Sequence, residues 1–98
     1  MARFDVLGLK RGALVLDCQA DVLSGLRTRF VVPLFPIANA PFAADRLNPA
    51  LDLAEGRYVL TTQAAATIDV REIERVVASL AHAESQIMNA LDMLLTGY

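Results

Sequence analysis

The chain has 98 residues, 55% of them hydrophobic, and a formal net charge of −2. That is one domain's worth of core, too apolar for disorder and too acidic for bulk electrostatic binding to nucleic acid. A single cysteine, Cys18, excludes an internal disulfide and fits a reducing cytoplasm.

The opening Met1-Ala2-Arg3-Phe4-Asp5 reads as folded-domain pattern with no signal peptide, and the longest apolar runs fall short of a membrane span. The expectation is a soluble, cytoplasmic protein folding as one domain over 1–98. Its apolar excess should reach the surface and be hidden in an interface between copies, so a homodimer is expected. Charge is uneven. Arg3, Lys10, Arg11, Arg27 and Arg29 outnumber the carboxylates of the first third, and the remainder is net acidic. No run of like charge stands out.

Taken in chain order, Arg3 to Leu7 reads as a strand running to the Lys10-Arg11-Gly12 turn, and Ala13 to Cys18 as its hairpin partner. Ser24-Gly25 marks a loop. Thr28 to Leu34 is rich in β-branched and aromatic residues, with Pro33 expected at an edge or strand end. The proline- and asparagine-bearing segment 35–49 reads as the longest connection. A hairpin follows, Ala50 to Leu53 with Tyr58 to Thr61 across Glu55-Gly56, and then a strand from Ala65 to Asp69. For 71–79, helix propensity competes with an extended reading through Ile73, Val76 and Val77, and the pattern leaves both open. Beyond it, Leu80, Ala83, Ile87, Ala90, Leu91 and Leu94 form one apolar helical stripe. Ser79 is placed to cap this helix and Gly97 to stop it.

Catalytic patterns are missing from the sequence. There is no glycine-rich phosphate loop, no metal-ligand spacing and no nucleophile elbow. His82 is the sole histidine; it sits at a helix start, and Cys18 sits in a strand-like apolar run that suggests a buried thiol. Glu72, Glu74 and Glu84 read as surface charges. No cofactor and no metal is expected. What the sequence does offer is an apolar tip, Leu94-Leu95-Thr96-Gly97-Tyr98, where a helix stop is flanked by large apolar and aromatic side chains. Packing back onto the sheet or onto a dimer mate is the other use for such residues.

An ordered set of local patterns resembles a known family. Asp17-Cys18-Gln19-Ala20-Asp21 matches an Asp-x-Gln-x-Asp run, and Arg29-Phe30-Val31-Val32-Pro33-Leu34 matches the strand after it. Asn48-Pro49, Thr61-Thr62 and the closing Ile87 to Tyr98 complete the set. In order, spacing and length this resembles the CcdB family of gyrase-poisoning toxins from type II toxin–antitoxin pairs.

The resemblance implies a mainly β fold with a C-terminal α-helix: a CcdB/SH3-like small antiparallel barrel, homodimeric, with its helix starting near Leu80 or Ala81. It implies a non-enzymatic toxin that binds the A subunit of DNA gyrase and traps the enzyme on cleaved DNA. Gyrase-binding positions carried over are Val22 and Leu23 in the loop, and Asp92, Leu95, Thr96, Gly97 and Tyr98 at the end. A cognate CcdA-like antitoxin would wrap a disordered segment over overlapping surface. No sequence-specific nucleic-acid contact and no membrane contact is implied. The chain departs from the family pattern at Thr96, where an aromatic residue is expected, and places its own aromatic at Tyr98. Two other readings stay open: an RNA-cleaving toxin of similar fold, for which Arg27, Arg29, Arg57 and His82 are the candidates, and an inactive member that binds only its antitoxin.

Overall fold

The computed structural model describes residues 1–40 and 45–97. Within them lie strands β1 (Asp5–Leu9), β2 (Leu14–Asp17), β3 (Thr28–Pro36), β4 (Ala50–Leu53), β5 (Gly56–Leu60), β6 (Ala66–Asp69) and β7 (Ile73–Ser79), followed by helix α1 (Glu84–Thr96). The strands form one curled antiparallel sheet in the order β4-β5-β3-β2-β1-β7, with β6 also paired to β3. The fold is mainly β, a half-barrel with one C-terminal helix across it.

The nine-residue β3 organises the curl. Its start pairs with β6, from Thr28↔Asp69 to Val31↔Ala66, and its end pairs with β5, from Leu34↔Leu60 to Pro36↔Tyr58. Its middle pairs with β2 on the other edge. Pro33, expected at an edge or strand end, lies instead inside β3, opposite Val15. It is accommodated because its nitrogen faces the gap where β6 has ended and β5 begins. No ladder N–H is needed there, and its carbonyl still accepts from the Thr61 N–H at 2.9 Å.

Side chains alternate across the sheet, and both faces of its centre are covered. Val6, Leu16 and Val32 join Phe4, Leu60, Leu80, Ile87 and Ala90 in the larger core beneath α1. Their neighbours Leu7, Val15 and Val31 point the other way, into a smaller core with Leu9 and Ile68. Double-sided burial explains why β1, β2 and β3 read as continuous apolar runs and not as clean alternation.

Strand ends shift by one or two residues, with β3 running on to Pro36 and β5 beginning at Gly56, and three places are physically informative. The first strand begins at Asp5 and not Arg3, because Phe4 takes a left-handed backbone, φ 70°, that turns its ring into the core. Phe4 is only 2% exposed; its N–H donates to the Asp17 carbonyl, and its carbonyl accepts from the Leu80 N–H. Such a conformation is strained for an aromatic residue, and burial with two backbone bonds holds it.

The open segment 71–79 is mostly extended. Asp69 and Glu72 form a reciprocal capping box around the 3-10 turn Val70–Glu72, a helix-start signal that goes no further than one turn. Pairing of β7 to β1, with bulges at two points, overrides the helix propensity of the segment. Gly8 faces one bulge, where an added Cβ would already touch the Val77 and Arg75 side chains at 3.4 and 3.5 Å.

Lastly, the helical region opens at Ala81, but as a 3-10 turn Ala81–Ala83, and the α-helix proper starts at Glu84. Ser79, expected as the cap, is the N-cap of neither: Leu80 holds that place for the 3-10 turn and Ala83 for α1, and the Ser79 hydroxyl only accepts from the Ala81 N–H at 3.3 Å.

Two of the sequence patterns clamp each other. The buried Asn48 side chain donates to the Leu60 carbonyl at 3.0 Å and to Gln63 Oε1. The Thr62 hydroxyl donates back to the Leu47 carbonyl. Asn48-Pro49 and Thr61-Thr62 thus fix the end of the long connection against β5.

Candidate functional site: an apolar loop and a helix tip

Between β2 and β3 the chain makes a surface loop whose side chains from Ala20 to Thr28 are all exposed. It opens with the 3-10 turn Asp21–Leu23, which buries none of its residues. Val22 stands 89% exposed, Leu23 47% and Leu26 51%, an isolated apolar cluster raised from a polar base.

That base is the Asp17-x-Gln19-x-Asp21 run. Asp17 is 2% exposed and Arg29 5% exposed, with Arg29 Nε 3.9 Å from Asp17 Oδ2. The Asp17 Oδ1 accepts from the Gln19 N–H at 3.0 Å. The Gln19 amide in turn donates to the carbonyls of Leu23 and Thr28 and accepts from the Phe30 N–H. Arg29 donates to the Ser24 carbonyl at 2.9 Å. Burial raises the Asp17 carboxyl above the ordinary 3.8, outweighing the Gln19 N–H and the Arg29 charge that pull it down. Asp21 receives the Arg3 backbone N–H at 2.8 Å.

The second group sits on the last turn of α1. Ile87, Ala90 and Leu91 anchor the helix in the core, while Leu95 is 75% exposed, and Met93 and Leu94 each 39%. Asp92, Leu95 and Thr96 fall at three- and four-residue steps and share one face. The Thr96 hydroxyl turns back onto the Asp92 carbonyl at 2.7 Å. Gly97 closes the helix with a left-handed backbone, φ 81°, its N–H bonding to the Met93 carbonyl. Tyr98 lies outside the described residues.

Of the positions named from the sequence, Val22 and Leu23 come together on the loop, and Asp92, Leu95, Thr96 and Gly97 come together on the helix tip. The two groups ride on separate elements, and Arg3 links the loop base to the middle of α1, not to its tip. Its backbone holds Asp21, and its guanidinium donates to the Met88 sulfur at 3.0 Å while lying 4.5 Å from the centre of the Phe4 ring. Met88 to Leu95 is about two helical turns, roughly 10 Å along the axis. Sequence reasoning missed Leu26 and the contacts of Arg3 with Asp21 and Met88. The Asp-x-Gln-x-Asp spacing was the available signal for the loop base, but not for its bonding pattern.

Residues named for acid–base chemistry do not converge. Arg29 is committed to the loop base, Arg57 pairs with Asp52 on the β4–β5 hairpin, and His82 is exposed ahead of α1. Arg57 precedes Tyr58, which pairs with Pro36 at the far end of β3. That separates it from Arg29 by roughly 20 Å of strand. Burial pushes the Cys18 thiol up to about 12, far from the thiolate a nucleophile needs. No group of metal-ligating side chains occurs among the described residues. No described helix is long and apolar enough to cross a membrane.

Two solved structures share the fold. The crystal structure of an Mtb toxin superposes with TM-score 0.71 at 18% identity, covering 88% of this chain and 94% of that one. The Mycobacterium tuberculosis toxin MazF-mt6 superposes with TM-score 0.70 at 19% identity, covering 90% of each. At these identities the likeness speaks to fold alone. The family model described as CcdB protein matches residues 3–97, a span holding β1 to β7, the loop and the helix tip, and the chain therefore belongs to the CcdB family.

Proposed function

We propose that this protein is the toxin of a type II toxin–antitoxin pair, acting as a homodimer that binds the A subunit of DNA gyrase and traps gyrase on cleaved DNA. The observation that carries this reading is the exposed apolar surface on the loop and the helix tip of a CcdB-family chain. Val22 on the loop and Leu95 on the helix tip are the most exposed large apolar side chains among the described residues, and they fall at the positions that the resemblance to the family implies for the gyrase contact. Burying such side chains against a partner is favourable in proportion to the apolar area removed from water. The action is one of binding: the trapped complex is stabilised by contacts and no bond is made or broken by the toxin.

A dimer suits the target, because a two-fold axis would present two helix tips to a two-fold gyrase. The same apolar surface would serve a CcdA-like antitoxin, which neutralises by covering it. Thr96 supplies no aromatic ring, and its hydroxyl is turned to its own helix, so the aliphatic Leu95 and the residue after Gly97 carry the apolar contact at the tip.

The test is expression in a gyrase-dependent bacterium, with gyrase-linked DNA breaks as the readout, beside a truncation lacking Thr96 to Tyr98. Breaks that disappear on truncation are the expected result. RNA cleavage without DNA breaks would turn the reading to the nuclease alternative. A folded, antitoxin-binding chain that causes neither would be an inactive member.

A further inference from the structure

We infer that Gln19 and Arg29 are positioning residues for the partner contact made by Val22 and Leu23, holding the β2–β3 loop in its presented shape before any partner arrives. This inference rests on the proposed function for its binding half and on the loop geometry alone for its ordering half. The loop has no apolar anchor of its own, since every side chain from Ala20 to Thr28 is exposed and the 3-10 turn at its start buries nothing. Short backbone turns close it locally, with the N–H groups of Leu23, Ser24 and Leu26 reaching the carbonyls of Ala20, Asp21 and Leu23. Such bonds in water-exposed backbone do not by themselves fix a single loop shape.

The loop is tied at its start by the Asp21 carboxylate, which accepts from the Arg3 N–H, and at its exit by the Arg27 carbonyl, which accepts from the Val70 N–H. Its apolar turn is reached from the sheet by polar side chains from beneath it. Gln19 Nε2 donates to Leu23 at 3.1 Å and to Thr28 at 3.0 Å, gripping the loop at its apolar turn and at its exit. Its Oε1 accepts from the Phe30 N–H, locking the amide to β3. Arg29 Nη2 reaches Ser24 at 2.9 Å, next to the gripped turn. Arg29 is itself held at 5% exposure beside Asp17. A donor pair on Leu23 and Ser24 from two buried-side anchors is what a loop needs if its exposed Val22 and Leu23 are to meet a partner without an ordering penalty. Burial alone does not call for this arrangement, because a Gln–Arg network contributes no apolar core.

The test uses the full chain and two substitutions at one site. Gln19→Met removes all three side-chain bonds at nearly constant shape. Gln19→Glu keeps an acceptor for the Phe30 N–H but sets a carboxylate oxygen against the Leu23 and Thr28 carbonyls, so it frees the loop by lost donors and added repulsion, and Gln19→Met supplies the uncharged control. Amide hydrogen exchange at Leu23, Ser24 and Leu26 is compared with that of core amides in β1 and β2, and binding to the purified gyrase A subunit is measured by calorimetry. In Gln19→Glu the expected result is at least tenfold faster exchange in the loop with the core amides unchanged, and at least tenfold weaker binding. Unchanged loop exchange overturns the inference, as does a loosened loop that binds gyrase A as tightly as wild type. Wild-type protein that does not bind gyrase A overturns the proposed function, and the exchange readout still decides whether Gln19 holds the loop. Where Gln19→Met loses its fold, Gln19→Glu alone carries the comparison.

Discussion

Asp17 and Asp69 lie at opposite ends of the scale of carboxylate environments, and pH separates them. The Arg71 guanidinium and backbone N–H beside Asp69 hold its carboxyl below the ordinary 3.8. Its contribution is therefore present above pH 3.8 and lost as pH falls through the depressed folded value. Burial does the reverse at Asp17. There the favourable share is fully present below 3.8 and is lost as pH rises through the raised folded value. Asp69→Asn should lose ground to wild type as pH rises from acid to neutral. Asp17→Asn keeps an acceptor for the Gln19 N–H and should gain on wild type over the same range. Urea midpoints from about pH 3 to pH 7 check both, and parallel slopes for the two variants would contradict these assignments. The Cys18 thiol, raised to about 12, should react with alkylating reagents at neutral pH only through unfolding. Equal labelling of native and denatured protein would count against its burial.

At the scale of elements, α1 is fastened by a few side chains and stopped by one glycine. Ile87 is fully buried, and Ile87→Ala should cost about 2–5 kcal/mol in denaturant unfolding through lost contacts and the cavity left behind. At Gly97 an added Cβ would meet nothing within 4 Å, so the penalty for Gly97→Ala comes from the backbone alone, about 1 kcal/mol. Gly97→Asn should lose less, because asparagine enters the left-handed region more readily than alanine. An equal loss for both would mean that the left-handed stop is not the operative feature.

The elements most legible in sequence were those with a clear period or punctuation: the β1–β2 hairpin at Gly12, the β4–β5 hairpin at Gly56, and the apolar stripe of the C-terminal helical region, which is buried from Leu80 to Leu91 while Leu94 is exposed. Pro33 and 71–79 were not legible, because each depends on a partner strand far along the chain. The proline fits only where β6 gives way to β5, and β7 is extended only because β1 pairs with it. The site divides the same way. Exposed apolar residues near a glycine stop can be read from spacing, whereas the role of Gln19 depends on the return of β3 to place Thr28 and Phe30 within reach.

At the scale of the whole molecule, a double-sided core leaves several large apolar side chains outside it. Val22 and Leu26 on the loop, Phe35 and Ile37 at the end of β3, and Leu94 and Leu95 on the helix tip remain exposed on one chain. Mutual burial between copies is the simplest way to satisfy part of that surface. Light scattering at micromolar concentration should give twice the 10.6 kDa chain mass; a strictly monomeric species would contradict the homodimer. The central claim is gyrase trapping, and purified gyrase tests it most directly. Wild-type protein incubated with gyrase, supercoiled DNA and ATP should yield protein-linked linear DNA after detergent. Val22→Asp and Leu95→Asp, both folded by circular dichroism, should each lower that yield at least tenfold. No linear DNA with wild type, or undiminished yield with both variants, would contradict the account.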